Sequence, residues 1–302
     1  MLRKKILEGI LFTLLFSSLN AFDLSDFNSQ AQDFQDLESA LLSQRSGTEA
    51  WMNNGTPVNL YMDEWTFQFC TSYGSVMNPA FAYNEGPPLF QDYPSLKEGG
   101  EYLPVLDGQL MVGLGENSYA LISGSYTPKM ENSTSSLSQF SGGLNMGYRL
   151  YSEVLLGNVG VDLLVGYYYS SLESSGKNCT LNFSQASESA YFKGTLDMSK
   201  NSHTFLGQIM VTQNFALWLF YARCGATYSF GSLNTSLDGR GSGDSMASQD
   251  VQFQDSYSFD QWGLLTAGGF EAYLVFFYLN LEAGLDWLST SMYGSIGVRV
   301  PL

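Results

Sequence analysis

Phe277-Tyr278-Leu279-Asn280-Leu281-Glu282-Ala283-Gly284-Leu285-Asp286-Trp287 alternates without a break. Phe277, Leu279, Leu281, Ala283, Leu285 and Trp287 share one side, and Tyr278, Asn280, Glu282, Gly284 and Asp286 the other. Successive strand side chains point to opposite faces, so this stretch predicts a strand with one apolar face and one polar, acidic face. A soluble sandwich gives the same pattern when its apolar side packs inward. The residues that follow separate the two. Ile296, Val298, Val300 and Leu302 alternate with Ser295, Gly297, Arg299 and Pro301, and a last strand with no polar tail is expected of a closed barrel, where it pairs with the first strand and leaves no edge.

The same alternation recurs upstream. Trp65, Phe67, Phe69 and Tyr73 oppose Thr66, Gln68, Cys70 and Ser72. Leu144, Met146, Tyr148 and Leu150 oppose Gly143, Asn145, Gly147 and Arg149. Val161, Leu163, Val165, Tyr167 and Tyr169 oppose Asp162, Leu164, Gly166, Tyr168 and Ser170, and Trp218 to Phe230 oppose Leu217 to Ser229 in the same way. With 106–115, 117–127, 203–213, 261–273 and 291–302, the pattern predicts an all-β fold, an antiparallel transmembrane β-barrel of about ten strands. Connection lengths support it. Those near 116, 154, 214 and 275 are short, whereas 74–105, 128–137, 172–202 and 231–260 fall on the other side, three of them long and rich in Ser, Asn, Gly and Asp. Short periplasmic turns and long external loops are the asymmetry of an outer-membrane barrel.

Arg3, Lys4 and Lys5, an apolar run from Ile6 to Phe16 broken by Glu8, and Leu19-Asn20-Ala21 have the layout of a secretory signal peptide cleaved after Ala21. Its removal takes the net charge from −16 to about −18. Phe34, Leu37, Leu41 and Leu42 then sit at helical spacing among acidic residues, which predicts a short helix over 31–44. The expected organisation is therefore 1–21 signal peptide, 22–62 helical plug or periplasmic segment, and 63–302 barrel. No run of about twenty apolar residues offers a helical span. Charged residues make up 14% of the chain and aromatics 15%, a balance closer to membrane barrels than to soluble acidic enzymes. Dispersed cations in so acidic a chain argue against nucleic acid as partner; the expected partners are outer-membrane lipid, the barrel-assembly machinery and small solutes.

Parity assigns the chemistry. Arg149, Asp162, Arg223, Glu271, Glu282, Asp286 and Arg299 fall on the inward side as lumen candidates. They read either as a constriction that selects solutes by charge and size or as a salt-bridged filling of a narrow barrel. Tyr169, Tyr228, Trp262 and Trp287 are expected near the outer strand ends, and Trp218 and Phe277 near the inner ends, as two aromatic girdles. No phosphate-cradling loop, zinc-ligand spacing or nucleophile elbow occurs, so no cofactor or metal is expected. His203 is the single histidine. Barrel proteases of the omptin type and barrel phospholipases need a His in a defined acid or Ser neighbourhood, and residue 201 is Asn, so the chain is not expected to be an enzyme. Cys70, Cys179 and Cys224 allow one disulfide without assigning it.

Asn53-Asn54-Gly55, Gly108-Gln109-Leu110-Met111-Val112-Gly113-Leu114, Ser125-Tyr126-Thr127-Pro128 and Gly297-Val298-Arg299, together with the leader and the short acidic helix, resemble a group of bacterial outer-membrane barrels similar in layout to the long-chain fatty-acid transporter-like porins. Asn78-Pro79-Ala80 is also similar to those transporters, though it follows the first predicted strand. The resemblance carries over no functional residue. The expected function is a passive channel for small solutes, apolar ones included, with the N-terminal segment occluding the lumen. The alternative is a non-conducting structural or adhesive barrel that acts through its external loops.

Overall fold

The computed structural model of the 302-residue chain describes residues 67–77, 103–131, 135–153, 159–185, 188–215, 217–243, 248–289 and 292–301. They form ten strands: β1 (Phe67–Met77), β2 (Leu103–Gly113), β3 (Ser118–Glu131), β4 (Ser135–Glu153), β5 (Val159–Gln185), β6 (Glu188–Phe215), β7 (Trp218–Gly243), β8 (Gln249–Leu274), β9 (Phe277–Asp286) and β10 (Met292–Pro301). Each pairs antiparallel with its sequence neighbour, and β1 pairs with β10 from Gln68↔Pro301 to Met77↔Met292, so the sheet closes into a barrel. The expected cleavage site after Ala21, the 22–62 segment and the helix at 31–44 lie outside the described residues.

Burial follows the pleat and runs opposite to that of a soluble protein. On β4, Leu144, Met146, Tyr148 and Leu150 are exposed while Asn145 and Arg149 between them are buried. On β5, Leu163, Val165 and Tyr167 are exposed while Asp162, Leu164 and Tyr168 are buried. An apolar exterior around a polar interior is stable only where the surroundings are hydrocarbon, and closure satisfies every backbone group that water does not reach. No described helix is long and apolar enough to cross a membrane.

Strand length breaks the symmetry. The strands β9 and β10 have 10 residues each, and β1 and β2 have 11, about what a tilted strand needs to cross a bilayer. In contrast β5, β6, β7 and β8 have 27, 28, 26 and 26. Of the stretches 172–202 and 231–260, expected as loops, 172–185, 188–202, 231–243 and 249–260 are strand instead. They pair from Leu172↔Lys200 to Gln185↔Glu188 and from Gly231↔Phe259 to Gly241↔Gln249. Residues 128–137 likewise belong mostly to β3 and β4. The cause is a sparse alternation: Leu196, Met198, Leu233, Leu237 and Val251 are buried on the inner face, while Asp197, Asn234 and Asp238 are exposed on the outer one. Polar outer positions give these segments the composition of loops although the apolar residues between them are packed.

The opposite rim is tight. The chain turns from β8 to β9 at Val275-Phe276, where Val275 has φ 60°, the left-handed region in which a β-branched residue is strained. Tyr273 Oη donates to the Val275 carbonyl at 2.6 Å and holds that turn. An extra residue at Leu150 shifts the β4–β5 register between Arg149↔Asp162 and Tyr151↔Val161, a bulge at the same rim.

Candidate functional site in the barrel interior

All seven lumen candidates lie inward and are buried. Arg149 and Asp162 are direct cross-strand partners, and the Arg149 Nε donates to Asp162 Oδ1 at 3.0 Å. Arg223 on β7 reaches over β8 to Glu282 on β9, and the pair is joined by Tyr293 on β10. Arg223 Nη2 donates to Tyr293 Oη at 2.6 Å, Tyr293 Oη donates to Glu282 Oε1 at 2.5 Å, and Arg223 Nη1 donates to Gln208 Oε1 at 3.2 Å. Arg299 on β10 reaches over β9 to Glu271 on β8, with Nε 3.1 Å from each carboxylate oxygen and Nη2 bonded to Oε2. Its guanidinium lies 4.0 Å from the Tyr278 ring centre, a cation–π contact that covers its face. Three cations thus meet three carboxylates away from solvent, where an ion without its partner would be costly.

Asp286 does something else. Its Oδ1 accepts from the backbone N–H of Leu264 at 3.3 Å and Leu288 at 3.0 Å, and its Oδ2 accepts from Ser289 Oγ at 2.9 Å. It caps the turn between β9 and β10 and ties that turn to β8.

Alternation places Tyr168 and Tyr221 on the inward face but does not show how tyrosines fill the space between these pairs. Tyr119, Tyr168, Tyr221 and Tyr293 are buried inward, and each faces a glycine directly across the ladder: Gly147, Gly143, Gly269 and Gly284. A Cβ added at any of these glycines would collide with the ring opposite. The rings therefore lie flat over bare backbone, which is what glycine in a strand interior permits. Tyr168 Oη is bonded to Ser123 and receives Asn145 Nδ2 at 3.1 Å, and Tyr221 Oη receives Asn280 Nδ2 at 2.9 Å. Met111, Leu121, Leu164, Leu206, Met210, Leu219 and Leu265 complete the packed interior with the four tyrosines. The signal that could find them is the register: once strands are aligned, each of these four tyrosines opposes a glycine.

Gly147→Ala is expected to cost about 1–3 kcal/mol, since Tyr119 must leave its position in a close-packed site. At Gly108 an added methyl meets nothing within 4 Å, and Gly108→Ala is expected to be neutral or slightly stabilising. Urea unfolding of the two variants in lipid vesicles compares them directly.

The girdle candidates stand at the outer surface. Trp218, Trp262 and Trp287 are exposed. Tyr228 packs on Trp262 with ring centres 5.0 Å apart, Trp218 packs on Phe270 at 6.2 Å, and Phe277 is half-buried. Tyr169 Oη donates to Asn201 Oδ1 at 2.9 Å, and Trp287 Nε1 donates to Thr266 Oγ1 at 2.9 Å. His203 joins this surface and not the interior. Its Nδ1 is 2.6 Å from Tyr167 Oη, and its ring stacks on Phe230 at 5.2 Å. The described residues hold no group of three His, Cys, Asp or Glu able to bind a metal. Cys224 is a free thiol on the outer face.

A closed antiparallel ring with an apolar exterior, a polar interior, short turns at one rim and extended strands at the other defines a transmembrane β-barrel of the bacterial outer-membrane type. No family model and no curated protein matches the sequence. Among solved structures the chain is similar to the outer membrane protease OmpT from Escherichia coli, at 10% identity and TM-score 0.44, with 81% of this chain and 100% of that chain covered. It is also similar to the translocator domain of autotransporter NalP from Neisseria meningitidis, at 10% identity and TM-score 0.41, covering 87% and 98%. The Ralstonia pickettii toluene transporter TbuX matches at 8% identity and TM-score 0.30, covering 80% and 91%. These likenesses transfer no residue role.

Proposed function

We propose that this protein is an outer-membrane barrel with a lumen closed by its own side chains, acting through the sheet that β5 to β8 raise above the membrane. It catalyses no reaction. One observation carries this reading: at the level where β9 and β10 cross the bilayer, the interior is filled by the Arg223–Glu282–Tyr293 and Arg299–Glu271 clusters and by tyrosines lying on glycine. A ten-stranded barrel is little wider than the eight-stranded ones whose interiors side chains fill. The placement of His203 among aromatic rings on the outer face, hydrogen-bonded to Tyr167, supports the non-catalytic part.

Single-channel recording of the refolded full-length chain in a planar bilayer tests the closed lumen. No steady conductance is expected, while heat-modifiable migration on gels shows that the barrel has folded. Resolved unitary steps from folded protein would overturn the reading. Passive passage of small apolar solutes is a second reading, favoured by the apolar interior cluster with its two adaptable methionines, Met111 and Met210. Toluene uptake into vesicles without ion conductance would select it.

A further inference from the structure

Among the described residues, β8 has a neighbour on both sides for only part of its length. It pairs with β7 from Ala272 to Gln249, but with β9 only from Leu274 to Leu265. The β7–β8 register runs through this region without a shift, so the direction of each backbone group is fixed by parity. Tyr273 N–H points to Leu217 on the β7 side, whereas Leu264 N–H bonds Asp286 and Leu264 carbonyl accepts from Trp287 on the other side. Even-numbered residues therefore present N–H and C=O away from β7. Below Leu264 those of Trp262, Asp260, Ser258, Gln254 and Gln252 have no strand partner among the described residues. Ser256 N–H is capped by the Asp255 carboxylate at 2.7 Å, as expected of an amide on an open edge. Gln252, Gln254, Ser256, Ser258, Asp260 and Trp262 are exposed.

A long edge of this kind is a template for strand addition unless bulges, prolines or cations blunt it. Residues 249–264 contain no Pro, Lys or Arg. They carry Asp250, Asp255 and Asp260, of which Asp250 is paired with Arg240 at 3.0 Å. Gln254, Asp255 and Ser256 also line a groove of about 540 Å³ with Asp197, Asn234 and Ser236. The groove spans β6 to β8, with Asp197 two strands in from the edge, so Asp255 and Asp260 are the carboxylates that an added strand meets. Two copies of this edge would bring like charges together, which selects against self-pairing.

We infer that the free edge of β8 between Gln252 and Trp262 binds an extended, basic polypeptide segment as an added strand, with Lys or Arg side chains set against Asp255 and Asp260. This rests on the reading of the raised sheet as the working surface. The backbone ladder supplies binding, and the acidic neighbours select the sign of charge.

The test uses the full-length chain in nanodiscs of zwitterionic lipid with a decapeptide alternating Lys and Thr. The expected result is slowed hydrogen exchange at the amides of Gln252, Gln254, Ser258 and Asp260, with exchange at odd-numbered β8 amides unchanged. Ser258→Pro removes one edge donor without touching the β7 ladder, a substitution that edge strands accept. It is expected to weaken the peptide by about tenfold, through its own missing bond and the disturbed neighbours. A peptide N-methylated at alternate residues, or one alternating Glu and Thr, is expected not to bind. Equal binding of the N-methylated peptide, no change in Ser258→Pro, or dimers through β8 in the absence of peptide would each overturn the inference. Conductance measured on the same preparation reports separately on the closed lumen, so failure of one reading is told apart from failure of the other.

Discussion

Arg223→Met is expected to be the most damaging conservative substitution in the barrel, at about 3–5 kcal/mol of folding free energy. The side chains of Arg223 and Glu282 are 0% and 1% exposed. Removing the guanidinium leaves the Glu282 carboxylate with Tyr293 Oη as its remaining donor in that cluster, and Gln208 Oε1 loses its partner. Nothing else in the cluster can neutralise the charge. The double variant Arg223→Met/Glu282→Met is expected to recover most of the loss, because paired apolar replacements of similar volume are often neutral or better. Urea unfolding in vesicles, run as a double-mutant cycle, measures both numbers. A single variant within about 0.5 kcal/mol of the parent would show that the pair is solvated, because exposed pairs contribute little.

Ile296→Arg is expected to cost about 2–4 kcal/mol, the range for a cation on the lipid face near mid-membrane. Ile296 lies at the centre of β10, is 47% exposed and faces outward with Leu281, its partner on β9. The same residue at Val275, on the tight inner rim and 69% exposed, is expected to cost no more than about 1 kcal/mol because it reaches the interface. The difference between the two variants, read from unfolding in the same vesicles, reports the depth of each position in the bilayer. Equal costs would mean that the barrel does not cross the bilayer at β10.

Much of this architecture is legible in the sequence where one face has to be apolar along a whole strand. Leu144 to Leu150 and Phe277 to Leu285 alternate because lipid selects every second residue, and the inward parity of Arg149, Asp162, Arg223, Glu282 and Arg299 follows from it. The extensions of β5 to β8 are not legible as strands. Above the membrane no lipid demands an apolar face, so Asp197, Ser199, Asn234 and Ser236 read as loop although Leu196, Leu233 and Leu237 between them are buried. Nor does spacing show which charges pair. Arg223 and Arg299 each pass over one strand to reach Glu282 and Glu271, and that choice depends on barrel curvature and register, which no local pattern encodes. Asp286 falls among the lumen charges by parity, yet parity reports a face and not a partner.

The distribution of interior ties also bears on the order in which the barrel assembles. Arg223–Glu282 and Arg299–Glu271 link β7 to β10 among themselves, and Arg149–Asp162 links β4 to β5. All three connect segments near one another along the chain, so each forms with little loop-closure cost. The β1–β10 seam joins the two ends of the described chain, the most distant pairing in the ring. A carboxy-terminal sheet already clamped by its own charges would thus wait, open-edged, for β1 to arrive, and the same seam is where a strained or thinned bilayer should first pull the ring apart.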